Sequence, residues 1–273
     1  MPFFSRAVDT DRCGVYPGSL ANITKHVIFL IMTAAELQKA RREAGWTQAR
    51  LAGRLGVTQA YLSLMEGGKR HVPDRVQRRV VSVFQLPPTA LPWSVPGTRD
   101  PGTADAVVEQ GLARLGYPGL AYRMKRGERR NPADLLLMAL AQGNLDPRLA
   151  EALPWLLVSF EDLDTETLLT RTKNMDLQNR LGFTVSLARR LAERNTAFAK
   201  RAAELQQLEQ QLERLRLARE DTYCQAALSD RMRLWLRENR SPEAEHWNLL
   251  TDLKLEHLPY AGRNQGTVAE LPS

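Results

Sequence analysis

Between Thr47 and Arg70 the chain reads TQARLAGRLGVTQAYLSLMEGGKR, a stretch compatible with few folds. Leu51 and Leu55 lie one helical turn apart on a single face, and Ala52 beside them is small enough for a second helix backbone to come close. Gly56 ends that helix, because only glycine enters the left-handed conformation without steric cost. Gly56-Val57-Thr58 is then the length of turn that holds two short helices at a fixed angle. Thr58 caps the second helix, whose inward residues are Leu62 and Met65. Gln59, Ala60, Tyr61, Ser63 and Leu64 are left facing outward as an uncharged, partly hydrogen-bonding surface.

A helix with such a face can enter the major groove of double-stranded DNA. The pattern resembles the phage-repressor and Cro class of helix-turn-helix domains, also called the xenobiotic-response-element family. The resemblance spans roughly Thr33 to Leu91. It rests on Gly45-Trp46-Thr47-Gln48, on Leu51-Ala52 with Leu55-Gly56, and on Ser63-x-x-Glu66-x-Gly68-Lys69, all in register. It implies phosphate contacts from Gln48 and from the backbone of Gly67, Gly68 and Lys69, with Gln59, Ala60, Tyr61, Ser63 and Leu64 facing base edges. Gln59 can pair bidentately with adenine, whereas Leu64, which departs from the polar residue common in the family, can meet only a thymine methyl or aliphatic edges. Arg41 and Glu66 match the family's structural ion pair and are not expected to touch bases. Thr47, Thr58, Gly56, Leu51, Leu55, Leu62 and Met65 are caps and core whatever the domain binds. A helix-turn-helix reused only for protein contacts is the alternative.

Charge is concentrated in this region. The formal net is +7 over 273 residues, and Thr33 to Val95 holds ten lysines and arginines against four acids. Phosphate binding requires a local excess of this kind. The tight basic loop Gly67-Gly68-Lys69-Arg70-His71 is placed to lie along a phosphate backbone. Cys13 and Cys224 are far apart in sequence, and His26, His71, His246 and His257 show no ligand spacing. No metal, cofactor or disulfide framework is expected, which makes a cytoplasmic location the default.

The chain is long enough for two domains. Residues 1–31 mix turn residues with one apolar burst, Val27 to Met32, too short to span a bilayer, so no membrane partner is expected. Thr33-Ala34-Ala35-Glu36 is a strong helix start. Translation is therefore expected to begin at Met32, with 1–31 an extension; a disordered arm is the alternative. Residues 32–86 form the helix-turn-helix domain: a helix over about Ala34 to Ala44 with Leu37, Ala40 and Ala44 inward, the two motif helices, and a fourth over about Pro73 to Phe84 with Val76, Val80 and Val83 inward. Trp46 reads as core. Residues 87–105, rich in proline, read as a linker.

Residues 106–262 read as a helical interaction domain and 263–273 as a tail, so the fold class is all-α. Helix starts are expected at Asn131-Pro132, Asp146-Pro147 with a kink at Pro154, and Asp164, and an apolar pattern then runs toward Arg194 with a possible irregularity at Gly182. One long helix is expected from Thr196 to about Glu238. Its Leu205, Leu208, Leu212 and Leu215 form a seam of about two heptads, open to homodimerisation or to packing within the domain. Trp155, Trp235 and Trp247 are expected in the core. Arg240 and His246 are spaced like the Arg-x-x-x-x-x-His pattern of certain helical nucleases, but Pro242 interrupts the helix and Asp164, Glu166 and Asp176 lack paired geometry. No catalytic residue, and hence no enzyme, is expected. Leu145 to Leu191 weakly resembles helical regions of bacterial regulators encoded beside toxin genes. The reading is a dimeric, sequence-specific transcriptional repressor; the alternative is an antitoxin-like protein that binds a toxin protein and regulates its own operon.

Overall fold

The computed structural model describes residues 33–94, 104–123, 127, 129–195 and 198–258. The expectations for residues 1–31, for a start at Met32, for the later part of the linker and for the tail lie outside them. The described chain is mostly helical, with a helix-turn-helix bundle followed by a larger helical region.

The bundle contains α1 (Ala34–Glu43), α2 (Gln48–Leu55), α3 (Gln59–Glu66) and α4 (Asp74–Val83). The α1 start is a full capping box. Thr33 Oγ1 accepts from the Glu36 amide at 3.3 Å, and the Glu36 carboxylate accepts from the Thr33 amide at 2.7 Å. Thr47 and Thr58 cap α2 and α3 through their hydroxyls alone, accepting from the Arg50 and Tyr61 amides at 3.2 Å. Gly56 sits at φ +65° at the end of α2, and a Cβ there would also run into the Arg79 guanidinium. Leu37, Leu51, Leu55, Leu62, Met65 and Val80 close the core of the bundle. Pro73 takes the N-cap position of α4 in extended conformation and is not part of its first turn.

After α4 the prolines hold the chain extended, and its carbonyls find side-chain donors. Pro88–Ala90 forms a short 3-10 turn with Thr89 and Leu91 buried. Asn131 Nδ2 donates to Thr89 O at 2.9 Å and Leu91 O at 2.8 Å, while its Oδ1 accepts from the Ala133 amide and so caps α6 (Pro132–Leu140). Ser94 Oγ donates to Asp134 at 2.6 Å. Arg171 on α8 (Thr165–Asn174) donates to Ser94 O at 3.0 Å and lies over the Trp93 ring. Residues 89–94 are thereby fastened to the C-terminal region.

That region also contains α5 (Ala104–Arg114), α7 (Pro147–Ser159), α9 (Gln178–Arg194), α10 (Ala199–Glu213), α11 (Asp230–Asn239) and α12 (Pro242–His246). α9 is its centre, with residues from Leu181 to Ala188 buried without a break. Gly182 causes no irregularity. It makes room for Trp247, whose ring would stand 2.4 Å from a Cβ there and whose Nε1 donates to Ser186 Oγ at 2.8 Å.

Two expectations are corrected, and one left open is decided. The stretch from Thr196 to Glu238 is not one long helix: α10 ends at Glu213 and α11 begins at Asp230. Tertiary contacts override helix propensity between them, because Asn179 bonds both the amide and the carbonyl of Leu217, and Arg180 grips Asp221 through two bonds of 2.8 and 2.9 Å. Asp221–Thr222 (β1) then pairs in parallel with Leu249–Leu250 (β2). Of the two readings of the leucine seam the structure takes packing within the domain, since Leu205, Leu208 and Leu212 are buried in the core formed with α9. The second correction is that Trp235 is 47% exposed on α11, whereas Trp247 is fully buried and Trp155 packs between Tyr117 and Phe160. Among the described residues no helix is long and apolar enough to cross a membrane.

Candidate nucleic-acid interface

The position of α3 is set by one buried carboxylate. Glu66, the last residue of α3, accepts from Arg41 Nε at 2.6 Å, Arg41 Nη2 at 2.9 Å and Gln48 Nε2 at 2.9 Å, and Arg41 Nη1 also donates to Trp46 O at 2.8 Å. Burial pushes the Glu66 carboxyl up, but the bonds from Arg41 and Gln48 outweigh it and hold it below its usual range. The end of α3 is therefore tied to α1 and to the first residue of α2. Gln48, assigned to phosphate from the sequence, spends one amide N–H on this tie.

With its inner side chains buried, α3 exposes Gln59, Ala60, Ser63 and Leu64, the last at 39%. Tyr61 is half-buried and leans on the bundle core, so it lies at the margin of this face. None of the exposed side chains is charged, and the face can offer one amide, one hydroxyl and apolar atoms to a partner.

The loop beyond α3 differs in detail from the reading of its backbone as a phosphate cradle. The amides of Gly67 and Gly68 donate to Ser63 O and Met65 O, and those of Lys69 and Arg70 both donate to Leu64 O, at 2.9 to 3.1 Å. Gly68, at φ +69°, lets the chain turn back to make these bonds. The donors left for an anion are the exposed side chains of Lys69 and Arg70. Beside the start of α2, Trp46 stacks on Phe84 with centroids 5.1 Å apart, and the guanidinium groups of Arg50 and Arg54 lie 5.2 and 4.8 Å from its ring. Neither arginine was singled out from sequence; the signal was their position three and seven residues after Thr47, on the turns of α2 that follow the tryptophan.

The catalytic candidates are held in separate pairs. His246 Nε2 lies 2.6 Å from Glu213 Oε2, and Arg240 lies 3.8 Å from Glu245. Asp164 caps α8, and Asp176 faces Arg219 at 3.5 Å. Among the described residues no cluster of His, Cys, Asp or Glu could hold a metal ion.

Residues 34–93 match the family described as "Helix-turn-helix domain". The matched segment runs from the first residue of α1 to the tryptophan held by Arg171, and it supports a DNA-binding regulator. Comparison with curated proteins and with solved structures returns no match.

Proposed function

We propose that the chain is a sequence-specific transcriptional repressor that binds double-stranded DNA as a dimer. The observation that carries the reading is the uncharged exposed face of α3, held rigid through Glu66 and flanked by the free side chains of Lys69 and Arg70. Gln59, Ser63 and Leu64 read base edges, Ala60 and Tyr61 bound the contact, and the side chains of Lys69 and Arg70, with the amide N–H that Gln48 has left, position the helix on phosphates. One copy covers a half-site, so two copies on a near-palindrome supply useful specificity.

Selection of binding sites from random duplexes tests this. Gln59→Ala should relax preference at one base position at a cost of about 1–3 kcal/mol. Lys69→Ala should weaken all sequences alike and reduce the salt slope by about 1. A selected profile unchanged by Gln59→Ala would remove α3 from the reading role.

One observation favours a second reading, in which the C-terminal region binds another protein, such as a toxin. α11 buries only Leu236 and exposes Met232, Leu234 and Trp235. These exposed side chains of α11 are where two copies of this chain would meet if the C-terminal region pairs them. Trp235→Ala with Leu234→Ala should turn a dimer into a monomer in sedimentation; a dimer that persists leaves this face to a different protein.

A further inference from the structure

We propose that the cleft between α4 and the turn at Pro88–Ala90 is a binding site for a small organic anion, a phosphorylated or carboxylated molecule with an apolar body. The cleft encloses about 710 Å³ and is lined by Arg75, Arg78 and Arg79 of α4 together with Arg129, over an apolar floor that includes Val81 and Leu91. No acid lines it. A cavity of this size, which sets convergent polar groups beside apolar surface, is suited to a metabolite-sized ligand.

The charge arrangement suits an anion. Arg75 stands four residues from Arg79, a spacing at which like charges on one helix face repel. Arg75 and Arg129 have no hydrogen-bond or ion-pair partner among the described residues, and Arg79 spends Nη1 on Leu55 O at 2.9 Å, which leaves its other N–H groups. A phosphate or carboxylate between Arg75, Arg79 and Arg129 would replace repulsion with charge-assisted hydrogen bonds. The backbone gives a second, independent indication. Gln85 lines the cleft at φ +53°, a left-handed position after a helix end that glycine usually takes. Its side chain adds an amide to the rim at a backbone cost that a glycine would avoid.

The lining comes from both parts of the molecule. α4 belongs to the helix-turn-helix bundle, whereas Leu91 is held by Asn131 and Arg129 lies two residues before that asparagine. A ligand that touches both stabilises their docked arrangement, because it binds that arrangement and not the separated one. The site does not depend on what α3 reads.

Calorimetric titration of the full chain with phenyl phosphate, inorganic phosphate and phenol tests the proposal. Phenyl phosphate should saturate one site and raise the melting temperature, inorganic phosphate should bind more weakly, and phenol should give no saturable heat. Arg75→Gln with Arg129→Gln should lower phenyl phosphate affinity at least about tenfold while the unliganded melting temperature stays unchanged, since both side chains are exposed and unpaired. Absence of saturable phenyl phosphate binding, or binding equal in the double variant, would overturn the proposal. So would a double variant whose only defect is a duplex-DNA salt slope reduced by about 2, because the arginines would then be contacts to the DNA backbone.

Discussion

Glu66 stands in the least favourable environment for a charge in the helix-turn-helix bundle, and it is kept ionised by three donated hydrogen bonds. A buried carboxylate with its partners is worth little against an apolar substitute, but losing one partner is expensive, because the remaining charge has no water to turn to. Arg41→Ala should accordingly destabilise the bundle by about 3–5 kcal/mol, measurable by denaturant unfolding. The pH dependence has a definite sign. The folded carboxyl titrates below its ordinary 4.5, so its contribution is complete above that value and is lost as pH falls through the folded one. Stability of the wild-type chain should drop with acidification below about pH 4.5, and Glu66→Gln should flatten that part of the profile. An equal acid slope in both proteins would place the titrating group elsewhere, for example at Asp221, which Arg180 likewise holds below its usual range against burial.

At the scale of elements, α9 and α10 show why a heptad cannot be assigned to a dimer from spacing alone. Three- and four-residue spacing of leucines reports that one helix face is buried, and it says nothing about which helix buries it. Here Gly182, Ala188 and Ala192 are small residues of α9 that lie in the same core as Leu205, Leu208 and Leu212 of α10. Leu208→Glu with Leu212→Glu should therefore unfold the C-terminal region and not yield a folded monomer, since each buries an unpaired charge. Loss of helical circular dichroism and of the cooperative melt is the expected result. A folded double variant of reduced mass in sedimentation would restore the seam as an interface. Glycine is read differently at Gly56 and Gly182: the first is required by its φ of +65°, the second by the Trp247 ring against it.

For the molecule as a whole, the decisive contacts are those that hold residues 89–94 against α6 and α8. Asn131 does two things at once, capping α6 through its oxygen and holding Thr89 and Leu91 through its nitrogen. Serine can serve as the cap but cannot reach both carbonyls, so Asn131→Ser isolates the second role. It should leave the C-terminal core folded, cost about 1–3 kcal/mol for the buried carbonyls left unpaired, and speed amide hydrogen exchange across residues 89–94. Exchange in that segment at the wild-type rate would show that Arg171 and Ser94 suffice to hold it.

The local chemistry of the chain was enough to specify the caps at Thr33, Thr47, Thr58, Asn131, Asp146 and Asp164, the turn at Gly56, the outward face of α3 and the Arg41–Glu66 pair carried by the family resemblance. Each depends on neighbours a few residues away, or on a motif whose spacing encodes the contact. What lay beyond the sequence depends on partners brought from far along the chain. Helix propensity favours one helix through Arg214 to Ser229, and only the grip of Asn179 and Arg180 on that segment diverts it into β1. The prolines at 87, 88 and 92 announce extended backbone, but extended backbone leaves its carbonyls open, and only Asn131 in the folded protein determines that they are fastened rather than left to water. The loop amides at Gly67 to Arg70 likewise look available in a sequence, and the folded turn spends them on the last carbonyls of α3, because a helix end satisfies its own polar groups before it offers any to a ligand.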